Sequence, residues 1–131
     1  MVSAKGRTRK KDANQPQIEK ELRHAGFSVV STHMVASGFP DIVVGLFGVN
    51  FLFEIKADKK SKLTSREAEF SASWKGQCGV VTTSEEVINS IKIQMMTTLI
   101  HKNAILDFCD SSFNKIQEYR DNNEVVDDTG E

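Results

Sequence analysis

Little in this chain points to a membrane, a disulfide framework or a zinc site. Cysteine occurs twice, at Cys78 and Cys109, with no paired spacing. With no signal-peptide pattern read at the N-terminus, the expectation is a reducing, cytoplasmic compartment and ordinary thiols. His24, His33 and His101 are scattered, so no Cys/His cluster with zinc-ligand spacing forms. No apolar run approaches the ~20 residues that a membrane-spanning helix needs. Strong net charge is also missing: the formal value is −1, without the basic excess usual in nucleic-acid binders.

That near-zero charge conceals an asymmetry. Lys5, Arg7, Arg9, Lys10 and Lys11 crowd the start, and Glu118, Asp121, Glu124, Asp127, Asp128 and Glu131 crowd the end. Opposite blocks at opposite ends nearly cancel. Residues 1–14 are expected to be a basic disordered arm, suited either to lying along phosphates or to solubilising the chain. Residues 121–131 are expected to be an acidic disordered tail.

Between them, 131 residues suffice for one domain with its own core. Gln15 to Ala25 reads as a helix, with Pro16 in its first turn, Ile18, Leu22 and Ala25 as its apolar stripe, and Gly26 ending it. Phe27 to Thr32 reads as a first strand, Asp41 to Phe47 as a second and Asn50 to Lys56 as a third, with a turn at Gly48-Val49-Asn50. The second and third runs are apolar on both faces, which predicts central strands covered by helices on each side. Thr64 to Lys75 reads as a helix opened by a capping box, Thr64 with Glu67. Cys78 to Thr83 reads as a strand beside the third, reached by a right-handed crossover. Ser84 is the expected N-cap of a helix running to about His101. Residues 103–120 predict one more helical extension, broken near Asp110-Ser111-Ser112. It would either cap the sheet or offer the face of a homodimer.

The chemistry concentrates in two short stretches, Gly38-Phe39-Pro40-Asp41 and Phe53-Glu54-Ile55-Lys56. Strand alternation sends Glu54 and Lys56 to one side and Phe51, Phe53 and Ile55 to the other. An antiparallel hairpin would bring Asp41 near Glu54 across the ladder. Two carboxylates and an ammonium at the end of an otherwise apolar strand need a reason. Hydrolysis of a phosphodiester supplies one. Two acidic ligands can hold Mg²⁺, which takes the rest of its shell from water and phosphate, and a nearby lysine can orient the attacking water or neutralise the pentacoordinate phosphate. Lys59, Lys60 and Lys62 follow directly and are well placed to grip a DNA backbone.

This pattern resembles the PD-(D/E)xK nuclease superfamily, and within it the small VRR-NUC and Holliday-junction-resolvase-like enzymes of phages and bacteria. The resemblance covers about Gln15 to Val87. It implies an α/β, restriction-endonuclease-like αβββαβ core, a central mixed sheet of about four strands flanked by helices, over residues 15–102, with extra C-terminal helices. It implies Asp41 and Glu54 as ligands of Mg²⁺ or Mn²⁺, helped by the Ile55 carbonyl, and Lys56 as the residue that positions or activates water. The family's first helix often supplies a further glutamate. Here Gln15 stands in that position, and Glu19 is the residue able to substitute. The family's Leu-Ser/Thr-X-X-Gln corresponds to Leu63-Thr64-Ser65-Arg66-Glu67, so Glu67 replaces the glutamine and either approaches the metal or only caps its helix. Trp74-Lys75-Gly76 matches a further Trp-X-Gly.

The expectation is therefore a Mg²⁺-dependent endonuclease acting on DNA, with branched DNA implied only by the resemblance. The alternatives are a nuclease-fold module that binds nucleic acid or a protein without cutting, and a nuclease acting on RNA or serving restriction or packaging.

Overall fold

A computed structural model describes residues 12–32 and 34–124. The basic cluster of residues 5–11, His33 and the acidic residues from 125 onward lie outside the described residues. The chain divides into two compact units, Met1–Gln94 and Met95–Glu131.

The first unit is α/β. Helix α1 spans Gln15–Ala25, and Gly26 at φ 108° ends it. Only a residue without a Cβ adopts that conformation cheaply; it lets the Phe27 N–H return to the Leu22 carbonyl at 3.0 Å. Strands β1 (Ser28–Ser31), β2 (Ile42–Leu46), β3 (Val49–Ile55) and β4 (Gly79–Val81) form one mixed sheet in the order β1-β2-β3-β4. The first two pairings are antiparallel and the β3–β4 pairing is parallel. Helix α2 (Ser65–Ser73) intervenes between β3 and β4, and α3 (Ser84–Ile100) follows β4.

The hairpin turn differs from the expected one. Leu46 pairs with Val49, leaving Phe47-Gly48 as a two-residue loop. Both loop residues have positive φ, 48° and 79°, as a type I′ turn requires. Gly48 was legible as a turn residue, but the positive φ of a phenylalanine was not.

One sheet face builds the core. Val29, Ile42, Val44, Phe51, Phe53, Ile55 and Val81 join Ile18 and Leu22 of α1 and Val87 and Ile91 of α3 in a single buried cluster. The other face is only partly covered, contrary to the expectation of helices closing both sides. Val30 is 61% exposed and Val80 48% exposed, and α2 buries none of its residues. A nine-residue helix is too short to shield a four-stranded sheet.

Two helix details also correct the sequence reading. Thr83, not Ser84, caps α3: its Oγ1 accepts from the Glu86 N–H at 3.1 Å. Ser84 turns inward and donates to Glu21 Oε1 at 2.7 Å. In the second unit, α4 runs unbroken over Lys102–Asn122. Ser111 and Ser112 do not interrupt it, because their hydroxyls donate back to the Phe108 and Cys109 carbonyls at 3.0 and 2.6 Å. No helix among the described residues is long and apolar enough to cross a membrane.

Candidate active site

The site forms where β2 begins and β3 ends. Asp41 precedes β2 and is held by backbone on both sides: its N–H donates to the Phe53 carbonyl at 2.9 Å, and its carbonyl accepts from Thr32 N–H at 2.7 Å. Thr32 Oγ1 also donates to the Pro40 carbonyl at 2.7 Å. With Ile42 opposite Phe53, Asp41 falls opposite Glu54, as strand alternation predicts. Ile55 contributes its N–H, which donates to Asp41 Oδ2 at 2.8 Å. That bond fixes the first carboxylate against the strand carrying the second.

Glu54 is 5% exposed, and its Oε1 has no hydrogen-bond partner. Burial, then the neighbouring Asp41 and Glu67 carboxyls, push its pKa up to about 9. Lys56 follows β3, its N–H donating to the Val81 carbonyl at 3.0 Å. Its Nζ lies 3.6 Å from Glu54 Oε2 and 2.7 Å from Glu67 Oε1. Burial works against this ammonium, but the Glu67 hydrogen bond and charge, helped by Glu54 and Asp12, keep its pKa above the ordinary lysine value. Burial would likewise raise the Glu67 carboxyl, yet the Lys56 and Thr64 hydrogen bonds hold it down at about 2.

Glu67 therefore caps its helix and also turns into the site, where it reaches the Lys56 ammonium. Its side chain accepts from Thr64 N–H at 2.9 Å while its own N–H donates to Thr64 Oγ1 at 3.2 Å, and the same Oε1 reaches Lys56. Gln15 is fully buried; its Nε2 donates to Glu19 Oε2 at 2.8 Å and to Ser31 Oγ at 3.3 Å. Glu19 is also buried, with Oε1 3.5 Å from Arg23 Nη2. Ser31 pairs with Ile42, so this polar pair approaches the sheet one position from Asp41. Gln15 Oε1 is a second buried oxygen without a partner.

Sequence reasoning missed Asp12 and Asn14, which it placed in the arm. Asn14 Nδ2 donates to the Lys56 carbonyl at 3.0 Å and to the Thr82 carbonyl at 2.9 Å, clamping the ends of β3 and β4. Asp12 sits within electrostatic reach of Lys56, Asp41 and Glu67: burial, together with the two carboxylates and against the lysine, raises its pKa. The available signal was an acid inside an otherwise basic stretch, just before the helix-opening Pro16.

The lysine loop is ordered by Asp58, whose Oδ1 accepts from the Lys60 and Ser61 N–H groups at 2.8 and 3.0 Å. Lys59 Nζ lies 3.3 Å from Glu86 Oε2. Lys60 and Lys62 are exposed, and neither joins an ion pair among the described residues. A cleft of ≈ 410 Å³ opens beside Lys56, between this loop and Asn89, Ser90 and Ile93 of α3.

These donors suit a hard divalent cation. Glu54 and Glu67 converge on the Lys56 ammonium, Asp41 adjoins Glu54, and an unpartnered carboxylate oxygen is buried there. Such an oxygen demands either a proton or a cation. Among the described residues no three His, Cys, Asp or Glu side chains already form a cage. Mg²⁺ does not need one, since it binds through one or two carboxylates and keeps several waters.

No family model, no curated protein and no solved structure matches this chain.

Proposed function

We propose that the chain is a Mg²⁺-dependent endonuclease that hydrolyses DNA phosphodiester bonds, with Mn²⁺ able to substitute. The observation that carries this reading is the buried, unpartnered Glu54 Oε1 beside Asp41. Asp41 and Glu54 would hold the ion, and the Ile55 N–H presets the Asp41 carboxylate. Bound there, Mg²⁺ would acidify a water and offset charge developing on the phosphate. Lys56 is held protonated by Glu67, so it acts as a cation and hydrogen-bond donor that orients water or meets the phosphate, not as the base. Lys59, Lys60 and Lys62 grip the backbone beside the cut. Branched DNA is the favoured substrate form on the family resemblance, and a two-fold assembly would offer one site to each of two strands.

The binding test uses the raised Glu54 pKa. At pH 7 this carboxyl carries a proton that Mg²⁺ must displace. Calorimetry in buffers of different ionisation enthalpy should show about one proton released per ion bound. Binding without proton release would remove Glu54 from the site. Activity is tested on a labelled four-way junction, linear duplex, single strand and RNA, with Mg²⁺, Mn²⁺ or EDTA. Metal-dependent cutting that Lys56→Ala loses is the expected result. The direct 2.7 Å Lys56–Glu67 pair favours one rival, a closed site that binds nucleic acid or a protein without cutting. Absence of wild-type cleavage on every substrate would select that rival, and preference for RNA would move the substrate class.

A further inference from the structure

Helix α2 carries an aromatic row that the cleavage chemistry does not use. Trp74 leaves the helix extended, at φ −70° and ψ 125°, and its indole packs back on Phe70. The two rings stack with centroids 5.2 Å apart and planes 18° from parallel. Phe39, two residues before Asp41, meets the Phe70 ring edge-on at 5.4 Å. Both contacts have the geometry that aromatic quadrupoles favour. Gly76 completes the fit, since a Cβ there would fall 2.8 Å from Trp74 Nε1. The indole is thus held on one face and one edge, yet it stays 47% exposed. A tryptophan this fixed and this open is not part of the core, which takes no residue from α2.

The row starts at the candidate site. Phe70 lines the same hollow as Glu54 and Glu67. Trp74 stands seven residues beyond Glu67, about 10 Å along the helix at ~1.5 Å per residue. That is the length of about three stacked nucleotides at ~3.4 Å each. Charge suits a nucleic-acid strand. Between Lys62 and Gly76 the chain carries Lys62, Arg66 and Lys75 against Glu67 and Glu69, and Glu67 is already paired with Lys56. Arg66, four residues before Phe70, shares its side of the helix, whereas Glu69 points about 100° away. Cations beside an aromatic row match a single strand: phosphates meet the charges and bases stack on the rings. A duplex cannot use the row in this way, because its bases are already stacked on one another.

We propose that Trp74, backed by Phe70, is a stacking platform for an unpaired base about three nucleotides from the scissile phosphate. The strand it selects carries unpaired nucleotides on that side of the cut. The place of the cut rests on the nuclease reading; the stacking does not. Trp74 is the chain's single tryptophan, so its emission reports the platform directly. The full chain is titrated with oligothymidylate of about 12 nucleotides, in EDTA and with Ca²⁺ in place of Mg²⁺. Saturable quenching is expected, and an abasic strand of equal length should bind about 5–100-fold more weakly without quenching. By anisotropy of a labelled strand, Trp74→Ala should lose the same factor for oligothymidylate, change blunt-duplex binding less than about 2-fold, and be largely rescued in Trp74→Phe. Saturable binding with unchanged emission overturns the proposal. So does absence of binding in both buffers, or equal loss of duplex and single-strand affinity in Trp74→Ala. The two readings fail separately. Quenching without cleavage of any substrate removes the nuclease and keeps the platform; Lys56-dependent cleavage without quenching does the reverse.

Discussion

One face of the sheet carries Ile42, Val44, Phe51, Phe53 and Ile55, sealed beneath α1 and α3. The opposite face carries Asp41 and Glu54, with Lys56 at its margin, beside valines left half in water. Alternating residues of the same two strands thus serve opposed ends. The sealed face stabilises the fold by removing apolar surface from water. The open face is destabilised as pH rises, because burial and the neighbouring Asp41 and Glu67 carboxyls push the Glu54 pKa up to about 9. The apolar side offsets the strain held on the polar side.

Substitutions on the two faces should separate stability from activity. Phe53→Ala on the sealed face should lose about 3–5 kcal/mol in chemical denaturation, since it empties the centre of the core. Equal loss from Val80→Ala on the open face would erase the contrast. Asp41→Ala, Glu54→Ala and Lys56→Ala should each lower cleavage about 10²–10³-fold with far-UV spectra unchanged. Full activity in all three would remove the site.

Glu54→Gln gives a smaller effect of opposite sign. The folded pKa of about 9 lies above the ordinary 4.5. Glu54 therefore contributes stability fully below pH 4.5 and loses it as pH rises from 4.5 through 9. In EDTA at pH 7 the substitution should stabilise the protein by about 1–2 kcal/mol, discounted for solvent reaching the site. It should flatten the decline over that interval; an unchanged urea midpoint across pH would contradict the strain. Glu67 behaves inversely. Its pKa of about 2 lies below 4.5, so its contribution is present above pH 4.5 and disappears as pH falls toward 2. Smallest of all, Val30→Thr on the open face should alter stability by no more than about 0.5 kcal/mol.

Much of this contrast was legible because it obeys local rules. Period-two alternation separates Phe53 and Ile55 from Glu54 and Lys56, and the Thr64–Glu67 box announces its helix. What escaped depends on distance. Asn14 meets Lys56 and Thr82 across 42 and 68 residues, and no periodicity connects such positions. The half-open second face escaped for another reason. Apolar residues on both sides of a strand state a preference for burial, while coverage depends on how long the neighbouring helix is. Ser111 and Ser112 look like helix breakers until their hydroxyls are seen satisfied on the preceding turn.

The Phe47-Gly48 turn lies at the other end of β2 from Asp41, with Phe47 95% exposed. At ~3.4 Å per residue, β2 separates the two by about 20 Å. Of the described loops, this one offers a place to graft foreign sequence. A short peptide tag spliced between Phe47 and Gly48 would project from the far rim, and immobilising the protein through it would keep the support away from the end of the sheet that carries Asp41, Glu54 and Lys56.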